Sequence, residues 1–217
     1  MQADVIRQIT LFRGMDDAEI AAALSALAAK ENSYEKDEAI LYAGTVSERM
    51  GLVLDGSVTI ESNDVWGNRT ILSHIETGGT FAETYALLEG EPMLVDVIAN
   101  ERSRILFLRI GSLNRLQRDL SPWRVKLIGN LLRVSAQKNL HLSGRSFHTA
   151  PKSIRGRVMA YLNSVSLQKH RTAFDIPFDR QQLADYLNVE RSALSRELSK
   201  MRQDGLIIVR RNQFEIT

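Results

Sequence analysis

Apolar positions along this chain change their period twice, and the changes divide it into regions. From Ile6 to Ala29, Ile20, Leu24 and Leu27 recur at spacings of four and three, which predicts a helix. From Tyr34 to about Leu108 the period falls to two. Short apolar or alternating runs then follow at Ala39–Tyr42, Met50–Leu54, Ser57–Glu61, Thr70–Ile75, Met93–Ala99 and Ser103–Leu108. Turn chemistry separates them at Gly44, Asp55-Gly56, Asn63-Asp64, Gly67-Asn68 and Gly78-Gly79. Many short strands with regular punctuation predict a β-sandwich or jelly-roll barrel.

Between two of those runs lies FAETYALLEGEP, whose Phe81, Tyr85 and Leu88 sit at helical spacing. Gly78-Gly79 ahead of it is the composition of an anion cradle, because glycines free backbone N–H groups near a helix start; a plain tight turn uses the same residues. Helical spacing returns after Gly111 through Leu113, Leu116 and Leu120, and resumes beyond Pro122, with Ser121 as a candidate cap, from Trp123 to about Ser143. There Leu127, Leu131 and Val134 share one face and Ile128, Leu132 and Ser135 lie beside it. So wide a stripe predicts a second copy of the helix packed along residues 122–143, with core packing against the sandwich as the alternative for half of it, while Lys138, Asn139 and His141 interrupt the heptad. Polar Gly144–Ala150 is a candidate hinge, and Pro151 restarts a helix buried through Ile154, Val158, Tyr161 and Leu162.

His170–Ala173 reads as a turn and Phe174–Phe178 as a short strand. Phe178 to Ile207 then holds two short helical patterns joined by Leu187-Asn188-Val189, the connection of a helix-turn-helix. Asp179 and Gln182 form a capping-box pair, Leu183, Ala184 and Leu187 make one apolar face, and Asn188 tolerates the positive φ such a turn needs. The second helix opens near Glu190; Leu194, Leu198 and Met201 face inward, while Arg191, Ser192, Ser195, Arg196 and Ser199 face out. An arginine fork takes guanine O6 and N7 together, and a serine donates to phosphate or a base edge without filling the groove. Leu206–Val209 and Phe214–Ile216 flank Arg210-Arg211-Asn212-Gln213, a small β-wing with a basic tip. The candidate DNA-contacting set is Arg180, Arg191, Ser192, Ser195, Arg196, Ser199, Arg210 and Arg211. A solvated amphipathic helix carries the same outward pattern, so the order of the surrounding elements decides between the two.

Charge supports the DNA reading. From Ala150 onward there are 12 Lys/Arg against 7 Asp/Glu, net +5, whereas residues 1–149 carry 16 against 19, net −3. With no cysteine in 217 residues, disulfides, Cys-ligated iron–sulfur clusters and Cys-based zinc sites are excluded. His74, His141, His148 and His170 share no helical spacing, which disfavours haem or a metal site. No signal-like start and no membrane-length apolar run occurs, so a cytoplasmic protein without a membrane partner is expected.

Taken in order, helix, short-strand barrel with an inserted helix, long helix and winged helix-turn-helix, the chain resembles the cyclic-AMP receptor protein / fumarate–nitrate reduction regulator family of bacterial transcription factors. Leu11-Phe12 matches the family's leucine-phenylalanine opening, and FAETYALL resembles its effector loop, F-G-E-x-A-L-L…R-S-A. The resemblance implies an α+β chain: a jelly-roll, cyclic-nucleotide-binding-like barrel over residues 1–120, a dimerisation helix and hinge over 121–149, and a winged helix-turn-helix over 150–217. It implies a homodimer on a near-palindromic duplex whose half-site centres lie about 34 Å apart. The tentative effector pocket is Phe81, Ala82, Glu83, Thr84, Met93 and Leu94 with Asn139, Leu142 and Ser143.

Two departures matter. The family's Arg-Ser pair falls on Met93-Leu94, and methionine neither neutralises a phosphate nor hydrogen-bonds to it, which argues against a cyclic nucleotide and for an apolar wall. Family members commonly carry Glu one place after Arg191, where this chain has Ser192, so the half-site cannot be borrowed. The expected function is a DNA-binding regulator, not an enzyme, controlled by an unknown small effector. One alternative is a regulator without an effector, governed by abundance or a partner protein. A cupin-like barrel enzyme is the remote alternative, since His74 stands alone in the barrel segment. RNA polymerase is a possible partner, although no residue pattern marks a surface for it.

Overall fold

The computed structural model describes residues 6–7, 9–63, 69–115 and 121–217. Asp64, Gly67 and Asn68 of the expected turns, and Leu116 and Leu120 of the helical pattern, lie outside the described residues. The chain divides into two compact units, Met1–Val134 and Ser135–Thr217.

In the first unit the single helix expected over Ile6–Ala29 is broken into a 3-10 turn, Thr10–Phe12, and helix α1, Asp17–Ala26. The break has a local cause: Gly14 takes φ +77°, and Asp16 and Glu19 then start α1 with a full capping box. Leu11 and Phe12 are buried in the core.

Eight strands follow: β1 (Lys30–Tyr34), β2 (Ala39–Leu41), β3 (Met50–Asp55), β4 (Ser57–Asn63), β5 (Arg69–Glu76), β6 (Thr80–Phe81), β7 (Asp96–Ala99) and β8 (Ser103–Leu108). They form two antiparallel four-stranded sheets, β1-β8-β3-β6 and β2-β7-β4-β5. The expected jelly-roll is thus a sandwich of two sheets and not one closed barrel. Ile40, Val53, Val58, Val97, Ile105 and Phe107 from both sheets make the core between them. A second core includes Leu52, Leu54, Leu106 and Leu108 with Ile20, Ala23 and Leu27 of the α1 segment. Strand β3 therefore buries side chains in both cores, which explains its unbroken apolar run where a half-exposed strand would alternate.

Helix α2 (Glu83–Leu87) follows β6, and α3 (Pro122–Thr149) begins with Pro122 at its first position, with the Ser121 carbonyl accepting from the Arg124 and Val125 N–H groups. Leu127 and Leu131 join the second core, and Asn130 Nδ2 donates to the Leu11 and Arg13 carbonyls at 3.0 and 2.9 Å. Lys126 meets Glu19 at 2.6 Å, and that hydrogen bond, followed by the Asp16 N–H, lowers the Glu19 carboxyl below its ordinary value. Val125, Ile128 and Leu132 of α3 are exposed. The boundary between the units falls inside α3, after Val134.

The second unit holds α4 (Ile154–Lys169), β9 (Ala173–Asp175), α5 (Arg180–Tyr186), α6 (Arg191–Gln203), β10 (Ile207–Arg210) and β11 (Gln213–Ile216). Its core joins Val158, Tyr161, Leu162 and Val165 to Leu183, Leu187, Leu194, Leu198, Met201 and Phe214. The strands pair antiparallel in the order β10-β11-β9.

The hinge expected at Gly144–Ala150 is a correction: the segment is helical through Thr149. Long-range contacts outweigh its Gly and Ser content, because Arg145 donates to the Tyr186 and Asp185 carbonyls at 3.1 Å each and His148 is buried against Tyr186 and Tyr161. The helix stops at Thr149, where Pro151 disfavours the α region for Ala150 and Ser153 caps α4 by accepting from Gly156 N–H.

Candidate nucleic-acid interface

The interface is built on a short, heavily tied turn. Asp179 accepts from Gln182 N–H at 2.8 Å while the Gln182 side chain accepts from Asp179 N–H at 2.8 Å, the reciprocal box expected for α5. Asn188 takes φ +52°, the left-handed conformation that lets the chain reverse between α5 and α6. Two arginines donate to carbonyls at the end of α5. Arg145 takes those of Asp185 and Tyr186, and Arg157 takes those of Leu187 and Asn188 at 3.1 and 2.8 Å. Arg155 meets Glu197 at 2.6 Å and Asp204 at 2.8 Å, which clamps α4 to α6; these hydrogen bonds, Glu197 first, raise its guanidinium above the ordinary arginine value.

Leu194, Leu198 and Met201 of α6 are buried, and Arg191, Ser192, Arg196, Ser199 and Lys200 are exposed, with Ser195 half-buried. The cationic outward face read from the sequence is therefore assembled on one helix. Ser199 is turned back on the helix, its hydroxyl donating to the Ser195 carbonyl at 3.0 Å. At the wing, Arg210 pairs with Gln213 across a two-residue loop of Arg211 and Asn212, and Arg211 takes φ +56°. Arg210 and Arg211 are exposed at that tip. Arg180 is drawn inward instead: its guanidinium lies 6.0 Å from the Phe214 ring centre and reaches the Arg211 carbonyl at 3.5 Å, and burial lowers its pKa. It braces the wing against α5.

Glu190 is a functional candidate that the sequence reading passed over. As the N-cap of α6 its carboxylate accepts from Ser192 N–H at 2.9 Å and Ala193 N–H at 2.8 Å, and the Ser192 hydroxyl donates to it as well. The Ser192 hydroxyl, then those two N–H groups, then the Arg196 charge hold the Glu190 carboxyl at about 2. The signal available was an acidic residue immediately ahead of an apolar-periodic run.

In the first unit, the tentative effector residues separate. Phe81 is wholly buried and edge-on to Phe107, and Met93 is packed into the same core. Glu83, first residue of α2, is buried behind Ala82, which takes φ +60° as the N-cap; Thr84 is exposed. Leu94, at a bend ahead of β7, is 77% exposed, so of the expected apolar pair only Met93 is buried. The anion cradle at Gly78-Gly79 is also corrected: Gly78 N–H donates to the Val53 carbonyl and Gly79 N–H to that of Glu76, so both donors are spent within the turn. Asn139 and Leu142 are exposed and Ser143 half-buried on the part of α3 that belongs to the second unit. Among the described residues no three His, Asp or Glu side chains cluster to hold a metal, and no helix is long and apolar enough to cross a membrane.

Residues 31–119 match the family model of the cyclic nucleotide-binding domain, and residues 156–217 match that of the Crp-like helix-turn-helix domain. No curated protein matches the chain. Solved structures similar to it include the catabolite activator protein of Thermus thermophilus, 24% identical with a TM-score of 0.50, over 96% of this chain and 93% of that one. The c-di-GMP-responsive global regulator CLP of Xanthomonas campestris is 19% identical with a TM-score of 0.64, over 93% and 99%. FixK2 of Bradyrhizobium japonicum is 22% identical with a TM-score of 0.55, over 87% and 92%. With both domains present in this order on a shared fold, the chain belongs to the cyclic-AMP receptor protein / fumarate–nitrate reduction regulator family of DNA-binding transcription regulators.

Proposed function

We propose that the protein is a homodimeric regulator whose sensor domain answers to a small molecule that is not a cyclic nucleotide, and that it has no catalytic activity of its own. The observation carrying this reading is Met93, buried in the sandwich core beside Phe81 at the position the resemblance gives to a phosphate-binding arginine. A phosphodiester brought there meets a thioether with no positive charge, and its desolvation goes uncompensated. The domain family named for cyclic nucleotides thus supplies the scaffold and not the ligand.

The dimer reading rests on Val125, Ile128 and Leu132, which stay exposed along α3 while Leu127 and Leu131 are spent on the core. An apolar stripe on a long helix is what a symmetric partner covers. Such a dimer presents two copies of α6 to a near-palindromic duplex. The effector acts by shifting the population of the spacing at which those two helices are held. Haem and iron–sulfur chemistry play no part in this reading.

Two titrations test it. Isothermal calorimetry with cyclic AMP, cyclic GMP and c-di-GMP is expected to give no heat of binding; saturable binding of any of them refutes the ligand reading. Fluorescence anisotropy on promoter DNA is expected to show Arg196→Ala losing about 1–3 kcal/mol of discrimination at one base pair per half-site. Unchanged affinity and specificity refute the docking of α6.

A further inference from the structure

The negative charge at the tip of α6 is out of place on a surface that approaches DNA. Glu190 is exposed, precedes Arg191, and caps the helix whose outer face carries Arg196. Capping alone does not call for it: Ser, Thr, Asp and Asn are the residues that cap well with a short side chain and, in the hydroxyl case, without charge. A carboxylate within a phosphate-lined groove is repelled unless it finds a donor.

Its hydrogen bonds leave room for one such donor. A carboxylate has about four acceptor positions, two on each oxygen. On Glu190, Oε2 takes Ala193 N–H and the Ser192 hydroxyl, and Oε1 takes Ser192 N–H. One position on Oε1 remains. The three bonds lock the side chain against its own helix, so the open lone pair is presented in a fixed direction and not on a mobile stem. Arg191 and Arg196 are exposed on the helix that Glu190 caps, so the acceptor and two guanidinium forks belong to one element.

We propose that Glu190 is a base-reading residue of this regulator, accepting from a cytosine amino group in the major groove beside a guanine taken by one of the arginines of α6. Cytosine is favoured over adenine by the neighbouring atoms. Cytosine presents N4–H₂ next to an unpolarised C5–H, whereas adenine presents N6–H₂ next to the N7 acceptor, whose lone pair opposes the carboxylate. Ser192 is the positioning residue, since its hydroxyl holds the carboxylate that reads. The inference rests on α6 being the helix that enters the groove.

The test is enrichment from a randomised near-palindromic duplex library with the full chain, comparing wild type, Glu190→Ser, Glu190→Gln and Ser192→Ala, alongside thermal melts. Serine keeps an N-cap, so Glu190→Ser is expected to fold as the wild type while its preference for cytosine at one position per half-site falls about tenfold. Its affinity for random DNA is expected to rise, because a charge repelled by phosphates has gone. Ser192→Ala should weaken the same position and no other. If Glu190→Ser and Glu190→Gln keep every base preference of a wild type that binds specifically, Glu190 is a cap only and the inference fails. If the wild type enriches no sequence, the docking of α6 fails and this inference with it.

Discussion

His148 Nδ1 lies 2.9 Å from the hydroxyl of Tyr186, joining the end of α3 to the end of the first helix of the helix-turn-helix. The imidazole is edge-on to Tyr161, and His141 and Arg145 are the charged or titratable groups close to this aromatic cluster on the same helix, with Phe178 packed on Tyr186. Burial first, and the neighbouring His141 second, lower the His148 pKa; burial raises those of Tyr161 and Tyr186.

A histidine that resists protonation in the folded state makes stability depend on pH in a definite direction. The unfolded chain binds the proton more readily, so the contribution is complete above the ordinary value of about 6.5 and is lost as pH falls through the lowered folded value. Thermal melts from pH 7.5 to 5 should show the C-terminal unit losing stability, and His148→Asn should flatten that dependence. Equal slopes for the two proteins would assign the acid sensitivity elsewhere.

Arg157 offers a sharper test of how the turn is held. Its guanidinium serves the carbonyls of Pro151, Leu187 and Asn188, so Arg157→Met leaves several of them without a donor. We expect a loss of about 2 kcal/mol in urea unfolding of the C-terminal unit, together with weaker specific DNA binding. Arg157→Lys should recover only part of both, because an ammonium cannot reproduce the planar fork.

Neighbouring leucines on α3 should fail in different ways. Leu132 is 70% exposed and Leu127 wholly buried. Leu132→Asp should leave the secondary structure intact and halve the molecular mass in sedimentation, whereas Leu127→Asp should unfold the N-terminal unit. A Leu132→Asp protein that still sediments as a dimer would remove α3 from the interface.

Gly51 has no room for a side chain. A Cβ there would stand 2.1 Å from the Phe81 ring. Gly51→Ala should therefore displace Phe81 and cost about 1–3 kcal/mol in chemical denaturation, the usual range for overpacking. Because Phe81 shares the core with Met93, a ligand that enters beside them should bind this variant more weakly, a difference readable by calorimetry once an effector is known.

What the sequence disclosed, it disclosed through local chemistry. The Asp179–Gln182 box, the left-handed Asn188, the Pro122 helix start and the inward row of Leu194, Leu198 and Met201 each depend on residues within a few positions of one another. Strand β1, Lys-Glu-Asn-Ser-Tyr, gave no alternation because it is a polar strand at the edge of its sheet among the described residues, paired there with β8, some seventy residues away. The supposed hinge failed for a related reason: Gly144 and Ser146 look flexible until Arg145 finds carbonyls forty residues downstream. Met93 is buried and its neighbour Leu94 exposed, a difference that composition does not carry, since it says what a side chain is and not which way it points.

The wing has a set length. Ile207 and Val209 face the core with Phe214 and Ile216, while Ile208 and Arg210 face out, and the two-residue loop fixes Arg210 opposite Gln213. Sliding one strand by a single residue would turn Arg210 into that core and bring Ile208 with it. The hairpin therefore behaves as a ruler marked in steps of two residues: a single insertion at Arg211-Asn212 must be absorbed as a bulge, and only a paired extension of both strands carries the arginines farther out.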